Sequence, residues 1–331
     1  MIRSLKNSVL GALVADAVAM PVHWYYDRHA LDRDYGPLTG FTAPRNPHPD
    51  SILWRSSYEP GSPDADILHD QKAYWGKRDI HYHQFLKAGD NTINYRLGME
   101  LYRLVTGEGR YEPEAWLQTY IRLMRTPGWH QDTYLEEYHR AFFSRLAAGR
   151  QPAGCGIDDL HIGGLVPVPF LLAALAAVGE SPERIDPSVI ARHVALTHKH
   201  QKATEAASVL AKLLIAIAGG TSVREAINTY ATGYAGQRTF MKWVDKCDRH
   251  VVGSTLSTAC YLPESFTASL HFVWKYHDNF EKAILANATC GGDNCHRAVV
   301  VGSLLAAAHG VPESWVAGLR LYDGRFFGVG S

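Results

Sequence analysis

The stretch Cys290-Gly-Gly-Asp-Asn-Cys-His-Arg-Ala298, running on into Val299-Val-Val-Gly-Ser-Leu-Leu-Ala-Ala-Ala308, reads as a tight turn that opens an apolar helix. Paired glycines permit a sharp reversal and a close approach of backbones, and Asp293 is placed to cap the helix that follows. The amide end of such a helix attracts anions. Asp293, Asn294, Cys295, His296 and Arg297 bring many reactive side-chain types into one turn. A capped helix after a glycine turn accounts for this pattern, and so does a ligand pocket. Taken alone, Cys290-x4-Cys295-His296 lacks the second ligand pair of a zinc knuckle.

A second helix of the same character opens the chain. Leu5, Val9, Leu10, Leu13 and Val14 recur at amphipathic spacing, and Pro21 marks the end. Gly11, Ala15 and Ala19 lie four apart and form one small-residue face, which suits a central buried helix. Helical patterns recur at about 91–106, 113–124, 132–148, 165–178, 187–197, 202–218, 222–232, 236–246, 264–275, 279–288, 296–309 and 312–320. Strand-like alternation is nearly absent, so a single all-α domain spanning 1–331 is expected. Residues 24–89 differ: Pro, Gly, Asp and His are dense and no apolar period survives. Long irregular inserts in compact domains are usually functional or mobile. Trp24, Tyr25, Tyr26, Trp54, Tyr74, Trp75 and Tyr82 argue that this one is a packed cover over a pocket.

Composition narrows the function. The 33 Lys+Arg balance 33 Asp+Glu, which removes a general electrostatic grip on nucleic acid or an anionic membrane. The 17 histidines are the oddity, able to titrate or bind metal. No run of about 20 apolar residues is found, so neither a bilayer span nor a signal peptide is expected. Five cysteines, at 155, 247, 260, 290 and 295, are odd in number and scattered, which points to reduced thiols and a cytoplasmic setting.

Three further places carry polar residues in apolar company. Asp16 sits on the first helix, where a buried carboxylate needs partners such as loop amides. In Gly89-Asp90-Asn91-Thr92, Asp90 or Asn91 can cap the next helix or bind a ligand. Thr197 and His198 lie at a turn between helices, where they could cap the first or face a cavity.

In this order, 11–23, 89–92, 197–207 and 291–310 resemble the motifs of the ADP-ribosylglycohydrolase superfamily, of the dinitrogenase-reductase-activating-glycohydrolase type. The ending looks most like its divergent branch with jellyfish J-crystallins and selenoprotein J. The resemblance implies a compact orthogonal bundle of about a dozen helices. It also implies two Mg²⁺ or Mn²⁺ ions held by motif carboxylates, and hydrolysis at the anomeric carbon of a ribose. This chain departs at the ligand positions: His23, Gly89, Asn91, Cys295 and His296 stand where the family pattern has Glu, Thr, Asp, Asp and Thr. Of five acidic groups, Asp90 and Asp293 remain, so −2 would face +4, and Mg²⁺ wants charged oxygens. A full binuclear magnesium site is therefore not expected. One divalent ion, Mg²⁺, Mn²⁺ or Zn²⁺, could rest on Asp90, Thr92 and Asp293.

The implied activity is hydrolysis of a glycosidic bond of an ADP-ribosylated or related small-molecule substrate. Asp90, Asp293 and His296 are its candidate acid–base groups, and His23, Asn91, Cys295, Thr197 and His198 its candidate substrate contacts. His23, Asp90, Asn91, Asp293, Cys295 and His296 are expected to converge on one pocket. The alternative is a non-catalytic ADP-ribose or nucleotide binder, or a crystallin-like structural protein. Neither nucleic acid nor membrane is an expected partner.

Overall fold

The computed structural model describes residues 1–322. Helices follow in the order α1 (Ile2–Ala19), α2 (Arg28–Tyr35), α3 (Ile93–Glu108), α4 (Pro113–Met124), α5 (Glu137–Ala147), α6 (Pro167–Ala177), α7 (Pro187–Val194) and α8 (Gln201–Ala218). After them come α9 (Val223–Tyr230), α10 (Gln237–Trp243), the single turn α11 (Asp248–His250), α12 (Glu264–Lys275), α13 (Phe280–Thr289), α14 (Asn294–His309) and α15 (Glu313–Ala317). Among the described residues there is no sheet, only isolated bridges such as Ile157 with His198 and His161 with Tyr261.

α1 and α14 form the axis. They run antiparallel, with Gly11 against Gly302 and Ala306, and Ala15 against Gly302. A Cβ on Gly302 would overlap the carbonyl oxygen of Gly11, and one on Gly11 would overlap Ala306. The helices can touch only because both crossing points are glycines. Nearly every residue of α14 is buried, charged ones included. α3 packs on α6, and α6, α8 and α13 also pack on α1.

Two expectations need correction. Residues 24–89 are not wholly irregular. α2 forms there because Asp27 caps it, accepting from His29 and Ala30 N–H, while Ala30 and Leu31 bury its inner face. The helix expected from 132 begins only at Glu137; Asp132, Thr133, Leu135 and Glu136 are buried ahead of it. Composition also misleads on the first helix. Ile2–Val22 is long and apolar enough to cross a membrane, and 83% of its most apolar 18 residues are buried inside the fold. All five cysteines are free thiols.

Candidate active site

The Gly291-Gly292 turn is held by reciprocal bonds to the chain after α1. Trp24 N–H donates to Gly292 O at 2.8 Å, and Gly292 N–H donates to Tyr25 O at 2.7 Å. Gly292 has φ +60°, and a Cβ there would strike Thr258 O. Trp24 itself takes the left-handed region, φ 61°. Buried Arg297 ties the turn down, donating to Asn287 Oδ1, Thr258 O and Gly291 O at 3.1, 2.9 and 2.6 Å. Its role is structural.

This clasp delivers His23 and Trp24 to Asp293. The Asp293 carboxylate does not cap α14. Its Oδ1 instead meets three N–H groups: His23 Nε2 at 3.1 Å, Trp24 Nε1 at 3.0 Å and His296 Nδ1 at 2.7 Å. Oδ2 is buried without a hydrogen-bond partner. The other nitrogen of His296, Nε2, lies 2.9 Å from Glu136 Oε1. An imidazole between two carboxylates can donate to both only when protonated. Burial opposes that charge, but Asp293 and Glu136 outweigh it and carry His296 up to about 10. Burial likewise works against both acids, and His296 nevertheless holds each well below the usual carboxylate range.

The network continues in both directions. His23 Nδ1 is 2.8 Å from His83 Nε2, and His83 Nδ1 is 2.8 Å from Asp132 Oδ1. From Asp132 through His83 and His23 to Asp293 there are three contacts, each needing one proton. Burial pushes His23 down to about 3. On the other side, Asn94 Nδ2 donates to Glu136 Oε1 at 3.0 Å. Asn94 Oδ1 accepts from Tyr138 Oη at 2.8 Å and His139 Nε2 at 2.9 Å.

Glu136 and His161 line a cleft. Trp24, Tyr82 and Tyr134 pack edge to face beside them, with ring centroids 4.8–5.4 Å apart. Tyr26 and Tyr261 stand exposed at the rim. Trp24, Tyr26, Ile52 and Tyr82 all come from the 24–89 segment.

The structure sorts the sequence-derived residues into four places. His23, Asp293 and His296 come together in this cluster. Asn91, Thr92 and Cys295 gather instead around Asp16. Asn91 Nδ2, Thr92 N–H and Thr92 Oγ1 each donate to the Asp16 carboxylate at 2.9 Å, and Cys295 Sγ lies 3.8 Å from Asp16 O. Even so, burial outweighs these bonds and raises Asp16 to about 6. Thr92 thus spends its hydroxyl inside the core, and neither Asp90 nor Asn91 caps α3. Asp90 turns away: it accepts from Lys87 N–H at 2.7 Å and pairs with Arg320 at 3.3 Å. Gly89 fixes that direction through its close packing on Gly318. Thr197 and His198 bond each other at 2.9 Å and line a different, small cavity beside Asn94, Tyr138 and Gly164. Sequence reasoning missed Glu136, Asp132, His83 and Asn94. Only the density of histidine and aromatic residues in 24–89 hinted at His83.

His23, Asp293 and His296 each offer one ligand atom, all within 4.8 Å of one another. They do not fit a binuclear magnesium centre. Asp293 Oδ1 is taken by three donors, Glu136 Oε1 by His296 and Asn94, Asp132 Oδ1 by His83, and both oxygens of Asp16 by Asn91 and Thr92, while the second oxygens of Asp293, Glu136 and Asp132 make no hydrogen bond. The nitrogen-rich set is closer to what Zn²⁺ accepts. Such an ion would have to displace the His296 proton.

Among the described residues the fold is helical throughout its core, built on a glycine-crossed helix pair with a carboxylate–imidazole cluster at its turn. The chain belongs to the ADP-ribosylglycohydrolase family, which its residues 3–326 match. It is 24% identical over 320 residues to Crystallin J1A of Tripedalia cystophora, covering 94% of this chain and 90% of that protein. The fold is also that of a solved ADP-ribosylglycohydrolase-related protein complex. The TM-score is 0.59 at 19% identity, over 97% of this chain and 93% of that one.

Proposed function

We propose that this protein hydrolyses a glycosidic bond at the anomeric carbon of a ribosyl or ADP-ribosyl substrate, with Glu136, Asp293 and His296 at the reacting centre. The observation that supports this best is Glu136. It lines the cleft, it is ionised beside the His296 imidazolium, and its Oε2 has no hydrogen-bond partner. Glycoside cleavage passes through an oxocarbenium-like state, and a carboxylate facing it stabilises the developing positive charge. Glu136 then takes the proton of the attacking water. Asp293 and the Asn94 amide orient His296 and Glu136, so they act as positioning residues. One divalent ion on His23, Asp293 and His296, Mn²⁺ or Zn²⁺ in preference to Mg²⁺, is the metal-bound variant of this reading; it would add a Lewis acid.

The test is a hydrolysis screen over ADP-ribosylated peptides, O-acetyl-ADP-ribose and N-ribosides, repeated with Glu136→Gln. Turnover in wild type and its loss in the variant is the expected result; equal turnover in both removes Glu136 from the chemistry. A second reading is a non-catalytic binder or crystallin-like structural protein. It is favoured by the likeness to Crystallin J1A, and by imidazoles that already bond one oxygen of Asp132, Asp293 and Glu136. Absence of turnover with ADP-ribose still bound would select it.

A further inference from the structure

The cleft has a charge that its expected ligand does not match. Its walls carry Glu136, Glu137 and Asp159, and no lysine or arginine is among the described residues that line it. Arg140 stacks on the wall ring Tyr134 and on Trp75 outside it, at 5.7 and 5.1 Å, and borders a different hollow, while buried Arg297 acts electrostatically on Tyr26 from behind. A diphosphate entering here would meet three carboxylates. Aromatic faces with carboxylates among them are what an organic cation requires: ring quadrupoles attract its charge, and the acids neutralise it. The carboxylates are not merely a solvated acidic patch. Glu136 is 5% exposed, and its buried Oε2 makes no hydrogen bond, with the His139 ring nitrogen 3.8 Å away.

We propose that this cleft recognises an organic cation, and that the substrate is a cationic N-riboside whose positive charge resides on the leaving base, without phosphate groups in the cleft. The recognition stands on the cleft itself; its chemical step rests on the hydrolytic reading above. That step suits the groups present. In an N-ribosylpyridinium, the bond from the anomeric carbon to the ring nitrogen breaks and its electron pair stays on nitrogen. The base leaves neutral and needs no proton from the protein. The water oxygen bonds to the anomeric carbon, and its proton passes to Glu136 and then to solvent. No general acid is consumed, in keeping with a His296 whose two nitrogens are both committed to carboxylates.

The experiment titrates the protein, by the fluorescence of Trp24 and its neighbours and by calorimetry, with three probes. They are nicotinamide riboside, its uncharged 1,4-dihydro form, and ADP-ribose. The cation is expected to bind roughly tenfold or more tighter than the dihydro form, with ADP-ribose weakest. In Glu137→Gln/Asp159→Asn the preference should shrink several-fold. Asn retains the acceptor that Asp159 offers to His161 N–H, so the variant preserves the loop. Equal affinity for charged and uncharged ribosides, ADP-ribose binding tightest, or an unchanged preference in the double variant each overturn the proposal. Release of nicotinamide is measured in parallel. Cation preference without release would support the recognition and refute the hydrolytic reading; hydrolysis of ADP-ribosylated peptide without cation preference would do the reverse.

Discussion

Asp293 presents one oxygen to three N–H donors and the other to none, and its effects follow from that imbalance. Asp293→Asn keeps the shape but removes the charge that helps His296 stay protonated. The His296 midpoint should fall from about 10, readable by NMR titration of the ring. An unmoved midpoint would show that Glu136 alone holds the proton. In an active enzyme, turnover should drop by roughly 100- to 1000-fold. Stability should fall too, because the carboxylate serves a buried cation rather than a helix cap. The loss should stay below the about 3–5 kcal/mol of a fully broken buried pair, since His296 can shed its proton and Glu136 remains. Thermal or urea unfolding of the variant measures it.

At the level of helices, the α1–α14 crossing makes a demand that substitution can probe. Gly302→Val puts a branched side chain against the Gly11 carbonyl, where no rotamer escapes. Overpacking of this kind costs about 1–3 kcal/mol or more, and a lowered unfolding midpoint by circular dichroism checks it. A midpoint within error of wild type would mean the pair can separate without cost. The small-residue face of Gly11, Ala15 and Ala19 made this helix legible before any coordinates, as did the periodicity of nearly every other one. The site was legible only where it sits on a motif: His23, Asp293 and His296. Asp90 looked equivalent to them because a string of letters does not show that Gly89 and Gly318 turn its carboxylate toward Arg320. Glu136 and Asp132 were hidden for the opposite reason. They sit in an ordinary polar stretch just before a helix, and only packing brings Asp132 to His83 and Glu136 to His296.

The whole molecule registers these groups through its pH dependence. His296 titrates higher in the fold than its ordinary 6.5. Its contribution to stability is therefore complete below 6.5 and lost as pH rises through about 10. Asp293 and Glu136 are held low, so their contribution is present above the ordinary carboxylate range and lost as pH falls through their folded values. Asp16 acts against them, costing stability as pH rises from 3.8 to about 6. Melting temperature against pH should decline on the alkaline side in wild type and be flatter there in His296→Gln. Ligand linkage gives the metal test. Millimolar Mg²⁺ should leave the melting temperature unmoved, whereas two tightly held ions would raise it by several degrees.

The pairing of the first helix with the last also sets a timetable for biosynthesis. α1 leaves the ribosome early, while α14 does not exist until residues 294–309 have been made. At about 5–20 residues per second, the wait is on the order of fifteen to sixty seconds. Throughout it, a nascent chain displays a helix apolar enough for a bilayer, whose intended cover is still to be translated. Chains arrested before residue 290 should be bound by chaperones and be open to protease within residues 2–22. Chains released at full length should lose both properties together.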